Sequence, residues 1–144
     1  MRKKIFVILS VILIMSMSMS MGSFAQTTQT SQEMSDLARW SYTNSVSQNF
    51  SINSSGTAKM TVSVTGYKGT TTKIKVVIDL LKYSGGTWKK VKTYMDTFNT
   101  WYGAKEHTYS GLDKGYTYRM KCTYTVYNGS NYEYFILYSN QDSY

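Results

Sequence analysis

Residues 111–126, GLDKGYTYRMKCTYTV, are the stretch of sequence that decides the fold. A glycine-rich turn leads into a run in which apolar and polar residues alternate. Because successive side chains of a β-strand point to opposite faces, a period of two predicts a strand with one buried face. The residues predicted to be buried are Tyr118, Met120, Cys122, Tyr124 and Val126.

The same alternation recurs along the chain, between turns that are rich in Gly, Asn and Ser. It predicts seven strands, at residues 46–52, 57–65, 73–81, 88–98, 106–110, 117–126 and 132–139, with a loop at 99–105. Val77 and Leu81 make the second face of the third strand partly apolar, so we expect that strand to be central. Seven short strands with regular turns predict an all-β, antiparallel seven-stranded β-sandwich.

Leu112, Gly115 and Tyr118 resemble a motif of fibronectin type III domains, which are immunoglobulin-like sandwiches. In that family a Leu and a Gly precede the Tyr that opens the penultimate strand. The resemblance implies that Tyr118 packs at a corner and that its hydroxyl bonds to nearby backbone. The whole chain also resembles small secreted, uncharacterised proteins of Gram-positive bacteria, a likeness that implies no activity.

Residues 1–25 have the features of a secretory signal peptide. Three basic residues precede an apolar run at 5–15, which is shorter than the ~20 residues of a membrane-spanning helix. Small residues before the end of this segment predict cleavage after Ala25 and a secreted, extracellular protein. An uncleaved membrane anchor is the alternative.

Two further regions follow the expected cleavage point. Residues 26–45 are polar, and we expect either a tail or one or two turns of helix there. Residues 46–144 are predicted to form the β-sandwich domain. Loss of the leader would lower the net charge from +8 to +5, which suits an anionic cell surface. Since no run of Lys or Arg after it exceeds two residues, we expect no nucleic acid partner.

Cys122 is the only cysteine, so no internal disulfide can form. It lies on the predicted apolar face of its strand, where a buried thiol acts as a small hydrophobe. A reactive thiol is the alternative. We interpret Cys122 as structural, together with Leu112, Gly115 and Tyr118.

The residues that enzymes use are sparse and scattered. His107 is the only histidine, and we expect it at the surface. Carboxylates at Asp79, Asp96, Asp113 and Glu133 could form a hydrolase pair only if the fold joined them, and solvated charges are the simpler expectation. Phosphate-binding loops, zinc-type cysteine pairs and acidic calcium loops are absent from the sequence. We therefore predict a protein that is not an enzyme and has neither metal nor cofactor.

Aromatic and basic residues are the better candidates for function. Exposed rings stack on sugars or anchor proteins with a large contact area at low entropic cost. The loop prediction makes Trp101 and Tyr102 the preferred contacts, while Trp88 is either a contact or a core residue. The tentative binding set also contains Lys89, Lys90 and Lys92. Lysines on a strand equally suit the protection of a sheet edge from aggregation. Tyr94, Tyr109, Tyr132 and Tyr134 are further aromatic candidates.

The leading functional hypothesis is non-enzymatic binding of a cell-envelope polymer, a carbohydrate or a protein partner. Its first rival is a secreted membrane-active toxin or antimicrobial factor that acts through the basic aromatic surface. Under the leading hypothesis, we expect at most peripheral contact with a membrane. The second rival is the carboxylate-based hydrolase.

Overall fold

The computed structural model describes residues 40–144. The expected signal peptide, and all but the end of the polar segment at 26–45, lie outside the described residues and stay predictions. Residues 40–144 form seven antiparallel strands: β1 Thr43–Ile52, β2 Thr57–Gly66, β3 Lys73–Ser84, β4 Thr87–Phe98, β5 Tyr102–Ser110, β6 Thr117–Asn128 and β7 Asn131–Ser143. No helix that could cross a membrane occurs in this part of the chain.

The strands form two sheets that pack face to face. One sheet has three strands in the order β1-β2-β5, and the other has four in the order β4-β3-β6-β7. The prediction of an all-β, antiparallel seven-stranded sandwich of the immunoglobulin/fibronectin type III kind is therefore confirmed. The predicted central position of β3 is also confirmed, since it pairs with both β4 and β6.

The core is built from the inward residues of four strands. Every second residue from Tyr118 to Val126 on β6 is at most 1% exposed, as the alternation predicts. Other strands supply Phe50, Ala58, Met60, Val62, Val64, Ile74, Val76, Ile78 and Leu80. Burying each large aliphatic or aromatic side chain contributes roughly 1.5–3 kcal/mol, so the core accounts for the fold without a disulfide.

The turn before β6 has the geometry that the family resemblance implies. The Tyr118 hydroxyl donates a hydrogen bond to the Asp113 carbonyl at 3.0 Å and accepts one from the Asp113 N–H at 2.9 Å. Gly115 in this turn has φ of 84°, a conformation that glycine adopts at no steric cost. Leu112 and Tyr118 both belong to the core cluster.

One detail of the strand prediction is corrected. The segment predicted as a loop at 99–105 ends earlier, because β5 begins at Tyr102 and pairs with β2 from Thr65 onward. Gly103 weakens the sequence signal for a strand there. It is nevertheless required, since a side chain at Gly103 would overlap the Phe98 ring. β4 contains a β-bulge, where its register against β3 shifts between Leu80 and Leu81.

Candidate functional site: the outer face of the four-stranded sheet

The side of the four-stranded sheet that points away from the core collects most of the exposed large apolar side chains. We call it the outer face. It comprises Lys73, Lys75, Val77, Asp79, Leu81 and Tyr83 of β3, Trp88, Lys90, Thr93, Met95 and Thr97 of β4, Arg119, Lys121, Thr123, Thr125 and Tyr127 of β6, and Tyr132, Tyr134, Ile136 and Tyr138 of β7. These residues alternate along each strand with the buried ones, which is why they share one surface.

A row of large side chains follows the edge strand β7. Tyr132, Tyr134, Ile136 and Tyr138 are 61%, 66%, 42% and 44% exposed, respectively. Residues two apart on a strand are separated by roughly 6.7 Å, so the row extends about 20 Å. Phe135 and Leu137, between them, pack against the core instead. The row is therefore a continuous strip of exposed side chains, which we call the tyrosine strip after its three tyrosines.

Arg119 lies between two aromatic rings that come from different strands. Its guanidinium carbon is 4.1 Å from the centroid of the Trp88 ring on β4 and 4.3 Å from that of Tyr138 on β7. Both distances are within the range of cation–π attraction. Trp88 also packs beside Tyr83, with ring centroids 5.1 Å apart. Trp88 lies outside the core cluster, which settles that it is a residue of the outer face.

A second aromatic and basic group lies at the other end of this face. The Lys73 ammonium is 4.0 Å from the centroid of the Tyr127 ring, and the Lys75 ammonium is 5.8 Å from it. Tyr127 in turn packs beside Tyr132, with centroids 5.7 Å apart. The tyrosine strip thus has cations at both ends.

Positive charge dominates the outer face. It carries five cations, Lys73, Lys75, Lys90, Arg119 and Lys121, and a single carboxylate, that of Asp79. The Asp79 carboxylate is largely occupied, since it accepts a hydrogen bond from Thr93 and lies 3.7 Å from the Lys90 ammonium. The remaining cations leave the surface with a positive potential.

The predicted contact residues are divided among three parts of the surface. Trp88 and Lys90 belong to the outer face, whereas Lys89 and Lys92 pair with core-side positions of β3 and point to the other side of β4. Trp101 and Tyr102 lie at the start of β5, in the three-stranded sheet. The structure therefore does not bring the six tentative contacts together.

Several residues of this surface are not among those that the sequence indicates. Arg119 and Tyr138 were not among the candidates, although Tyr132 and Tyr134 were. The signal for Tyr138 was present, because every second residue from Tyr132 to Tyr138 is large and apolar. Arg119 had no comparable signal, since its aromatic neighbours come from two other strands, β4 and β7.

The carboxylates considered for a hydrolase each serve a different structural contact. Asp79 lies on the outer face, and Asp96 lies 2.7 Å from His107 between the two sheets. Asp113 pairs with Lys82 at 2.7 Å. Glu133 accepts hydrogen bonds from Ser41, Tyr42 and Thr43. The expectation of solvated charges is wrong for Asp79 and Asp96, whose side chains are only 17% and 12% exposed.

His107 is also placed differently from the prediction, because its side chain is only 17% exposed. Its ring stacks on Tyr94 with centroids 4.3 Å apart, and the Tyr94 hydroxyl donates to the Thr108 carbonyl at 2.9 Å. Tyr94 and Asp96 belong to β4, whereas His107 and Thr108 belong to β5. These contacts connect one sheet to the other at an edge of the sandwich.

Cys122 is fully buried, and burial raises the pKa of its thiol to about 12. A thiol with so high a pKa is a poor nucleophile at neutral pH. Within residues 40–144, no group of three or more His, Cys, Asp or Glu side chains is arranged to hold a metal ion.

Comparison with known proteins gives a weak structural likeness. No protein-family model matches the chain, and no curated protein matches it either. Among solved structures, the chain is similar to the CARDB domain of the PF1109 protein from Pyrococcus furiosus, which was crystallised in complex with di-metal ions. The identity is 16%, the TM-score is 0.39, and the match covers 70% of this chain and 91% of that one.

Proposed function

We propose that the protein is a secreted, non-enzymatic binding domain that holds a cell-envelope polysaccharide on its outer face. The observation that carries this proposal is the tyrosine strip on β7, with cations at both of its ends. The strip spans about 20 Å, which suits an extended polymer better than a small molecule in a pocket.

The exposed tyrosines have the properties of a contact surface. A large contiguous apolar surface in water is unusual in a monomer and marks an interaction site. Tyrosine supplies a flat ring for contact and a hydroxyl for hydrogen bonds, and it loses little rotamer freedom when bound. Tyr132, Tyr134 and Tyr138 project from one side of a strand within a paired sheet, so their spacing is already set before binding.

A purified cell-wall pull-down tests the proposal. We expect the wild-type protein to be retained on wall material and the double variant Tyr132→Ala/Tyr134→Ala to lose retention by at least about tenfold, because two stacking contacts of roughly 1 kcal/mol or more each are removed. Tyr102→Ala is the matched control, since Tyr102 is 56% exposed but lies on β5. Undiminished retention of the double variant, or equal loss with Tyr102→Ala, would contradict this choice of surface.

Action on membranes is the second candidate function. The observation that favours it is Met95, which is 78% exposed on the same basic face and could enter the boundary of a lipid layer. Dye release from vesicles that contain anionic lipid separates the two candidates. The polysaccharide-binding protein should release none, whereas a membrane-active factor should release dye and lose this activity in Met95→Gln.

A further inference from the structure

The Arg119 guanidinium packs between two aromatic rings but has no hydrogen-bond acceptor within residues 40–144. Among residues 40–144, no carboxylate forms an ion pair with it. Its Nε atom is shielded from solvent and has no hydrogen-bond partner, whereas its two Nη atoms are not shielded in this way. The ring contacts with Trp88 and Tyr138 therefore fix the plane of the group without using its N–H donors.

This arrangement is unusual for an arginine with a structural role. A guanidinium carries five N–H donors in a planar fork, and a shielded donor without an acceptor costs roughly 1–3 kcal/mol. Most partly buried cationic side chains avoid that cost by pairing with a carboxylate. Lys82, for example, pairs with Asp113. Arg119 is left with open donors on the surface that the tyrosine strip occupies.

The surroundings of Arg119 favour an anion. Lys121 lies two residues further along the same face of β6, and Leu81, which pairs with Arg119, pairs on its other side with Lys90. The only carboxylate of the outer face, Asp79, is already bound by Thr93 and Lys90. A planar fork among cations matches the two oxygen atoms of a carboxylate or phosphate group.

We infer that Arg119 is the anion-recognition residue of the outer face, and that the polysaccharide bound there carries carboxylate or phosphate groups. The Nη groups of Arg119 bind the anionic substituent, while the sugar rings lie along the strip from Tyr138 toward Tyr132. Because Trp88 and Tyr138 hold the guanidinium before binding, little conformational entropy is lost when it engages the anion. This inference rests on the proposed function and adds the chemical class of the polymer.

Three polymers with one common backbone test it: carboxymethyl dextran, dextran phosphate and neutral dextran, each titrated into the protein by calorimetry at low salt. We expect binding to at least one of the charged dextrans and weaker binding to the neutral one. The difference between the two charged polymers tells whether carboxylate or phosphate is preferred. Equal affinity for all three would overturn the inference.

The protein variants separate a specific role of Arg119 from the loss of one charge. Arg119→Gln should weaken binding of the charged dextran by about 10- to 100-fold, the range for one charge-assisted contact. Arg119→Lys should bind the charged dextran more tightly than Arg119→Gln but more weakly than the wild type, because an ammonium lacks the planar fork. Lys105→Gln removes one exposed cation from β5, in the other sheet, and should change affinity less than about twofold. Equal effects of Arg119→Gln and Lys105→Gln would overturn the inference.

Two further measurements keep the test independent of folding and of the proposed function. In the unchanged protein, the Nε–H resonance of Arg119 should shift when the charged dextran is added and should not shift with neutral dextran. An absent shift would count against Arg119 even if the variants unfold. If Tyr132→Ala/Tyr134→Ala abolishes binding while Arg119→Gln leaves it intact, the binding surface stands and the role of Arg119 fails.

Discussion

The Tyr118 hydroxyl and the backbone of Asp113 exchange two hydrogen bonds across the turn that opens β6, at 3.0 and 2.9 Å. The phenol ring itself is 1% exposed. One side chain thus packs the core and also satisfies the N–H and the C=O of a turn residue, which joins the turn to the sandwich.

Tyr118→Phe should lower the free energy of unfolding by about 1–3 kcal/mol, because the ring stays buried while two part-buried backbone groups lose their partner. Chemical denaturation measures the change. Tyr116→Phe is the control, since Tyr116 is 38% exposed and its substitution should cost less than about 0.5 kcal/mol. Equal destabilisation by the two variants would show that the corner contact contributes nothing specific.

His107 and Asp96 should be energetically coupled. Their side chains are mostly buried and 2.7 Å apart, so a double-mutant cycle with His107→Ala and Asp96→Ala should give a coupling energy of about 1–3 kcal/mol. The exposed pair Lys59 and Glu106, whose side chains are 52% and 49% exposed, provides a control cycle with an expected coupling below about 1 kcal/mol. A coupling no larger than in the control would mean that the two sheets are not tied together by this contact.

Cys122 should make the protein less stable at alkaline pH. Burial raises its pKa from the ordinary value of 9.0 to about 12, so above pH 9 the unfolded chain loses a proton that the folded chain keeps. Stability therefore falls between about pH 9 and 12, by about 2 kcal/mol at pH 10.5 from this group. Burial also raises the pKa of Tyr118, which acts in the same direction at higher pH.

Denaturant titrations at pH 7.5 and 10.5 measure this effect, and the matched variant is Cys122→Ala. The variant is less stable at both values because of the cavity, but its loss between them should be smaller by about 2 kcal/mol. A thiol reagent at pH 8 should label the wild-type protein only after denaturant is added. Rapid labelling of the native protein would contradict the buried thiol.

Glu133 should hold the start of β1 against β7. Its carboxylate accepts hydrogen bonds from the Ser41 and Tyr42 N–H groups and the Thr43 hydroxyl, at 2.7, 2.9 and 2.8 Å. Glu133→Gln replaces the carboxylate by an amide, whose NH2 group would face N–H and O–H donors. We therefore expect the free energy of unfolding to fall by about 1.5–3 kcal/mol.

Hydrogen exchange at Ser41 and Tyr42 should accelerate in this variant more than exchange in the centre of β3, which would locate the change at the chain entry. Asp113→Asn is the control, because Asp113 contacts Lys82 at a position where its side chain is 64% exposed. That substitution should change stability by no more than about 1 kcal/mol. Uniform acceleration across the protein would indicate a global effect.

The strands of the core were predictable because burial of a sheet residue follows from its position in a local alternation. Residues such as Met60, Ile78 and Met120 needed only their own neighbours to be assigned to the inside. The error at Tyr102 has the opposite origin. Gly103 is a poor strand former in isolation, and it belongs to β5 because it pairs with Val64 and makes room for Phe98.

The candidate site was predictable only in part. Tyr132 and Tyr134 carried a local signal, the repeated aromatic residue at every second position. His107 was expected to be exposed, because the sequence contains nothing to show that β4 and β5 approach each other at the edge of the sandwich and bring it to Asp96. A surface that several strands share depends on which strands are neighbours.

The sequence by itself determined that this chain forms antiparallel strands, which of their faces is buried, and that the turn before Tyr118 opens β6. These properties depend on side-chain alternation and turn chemistry, which act over a few residues. Only the tertiary structure decided that Trp88, Arg119 and Tyr138 meet, since β4, β6 and β7 are brought together by the order and register of the sheet. Long-range pairing is set by how two whole sheets bury their apolar faces together, and no local stretch of the chain contains that information.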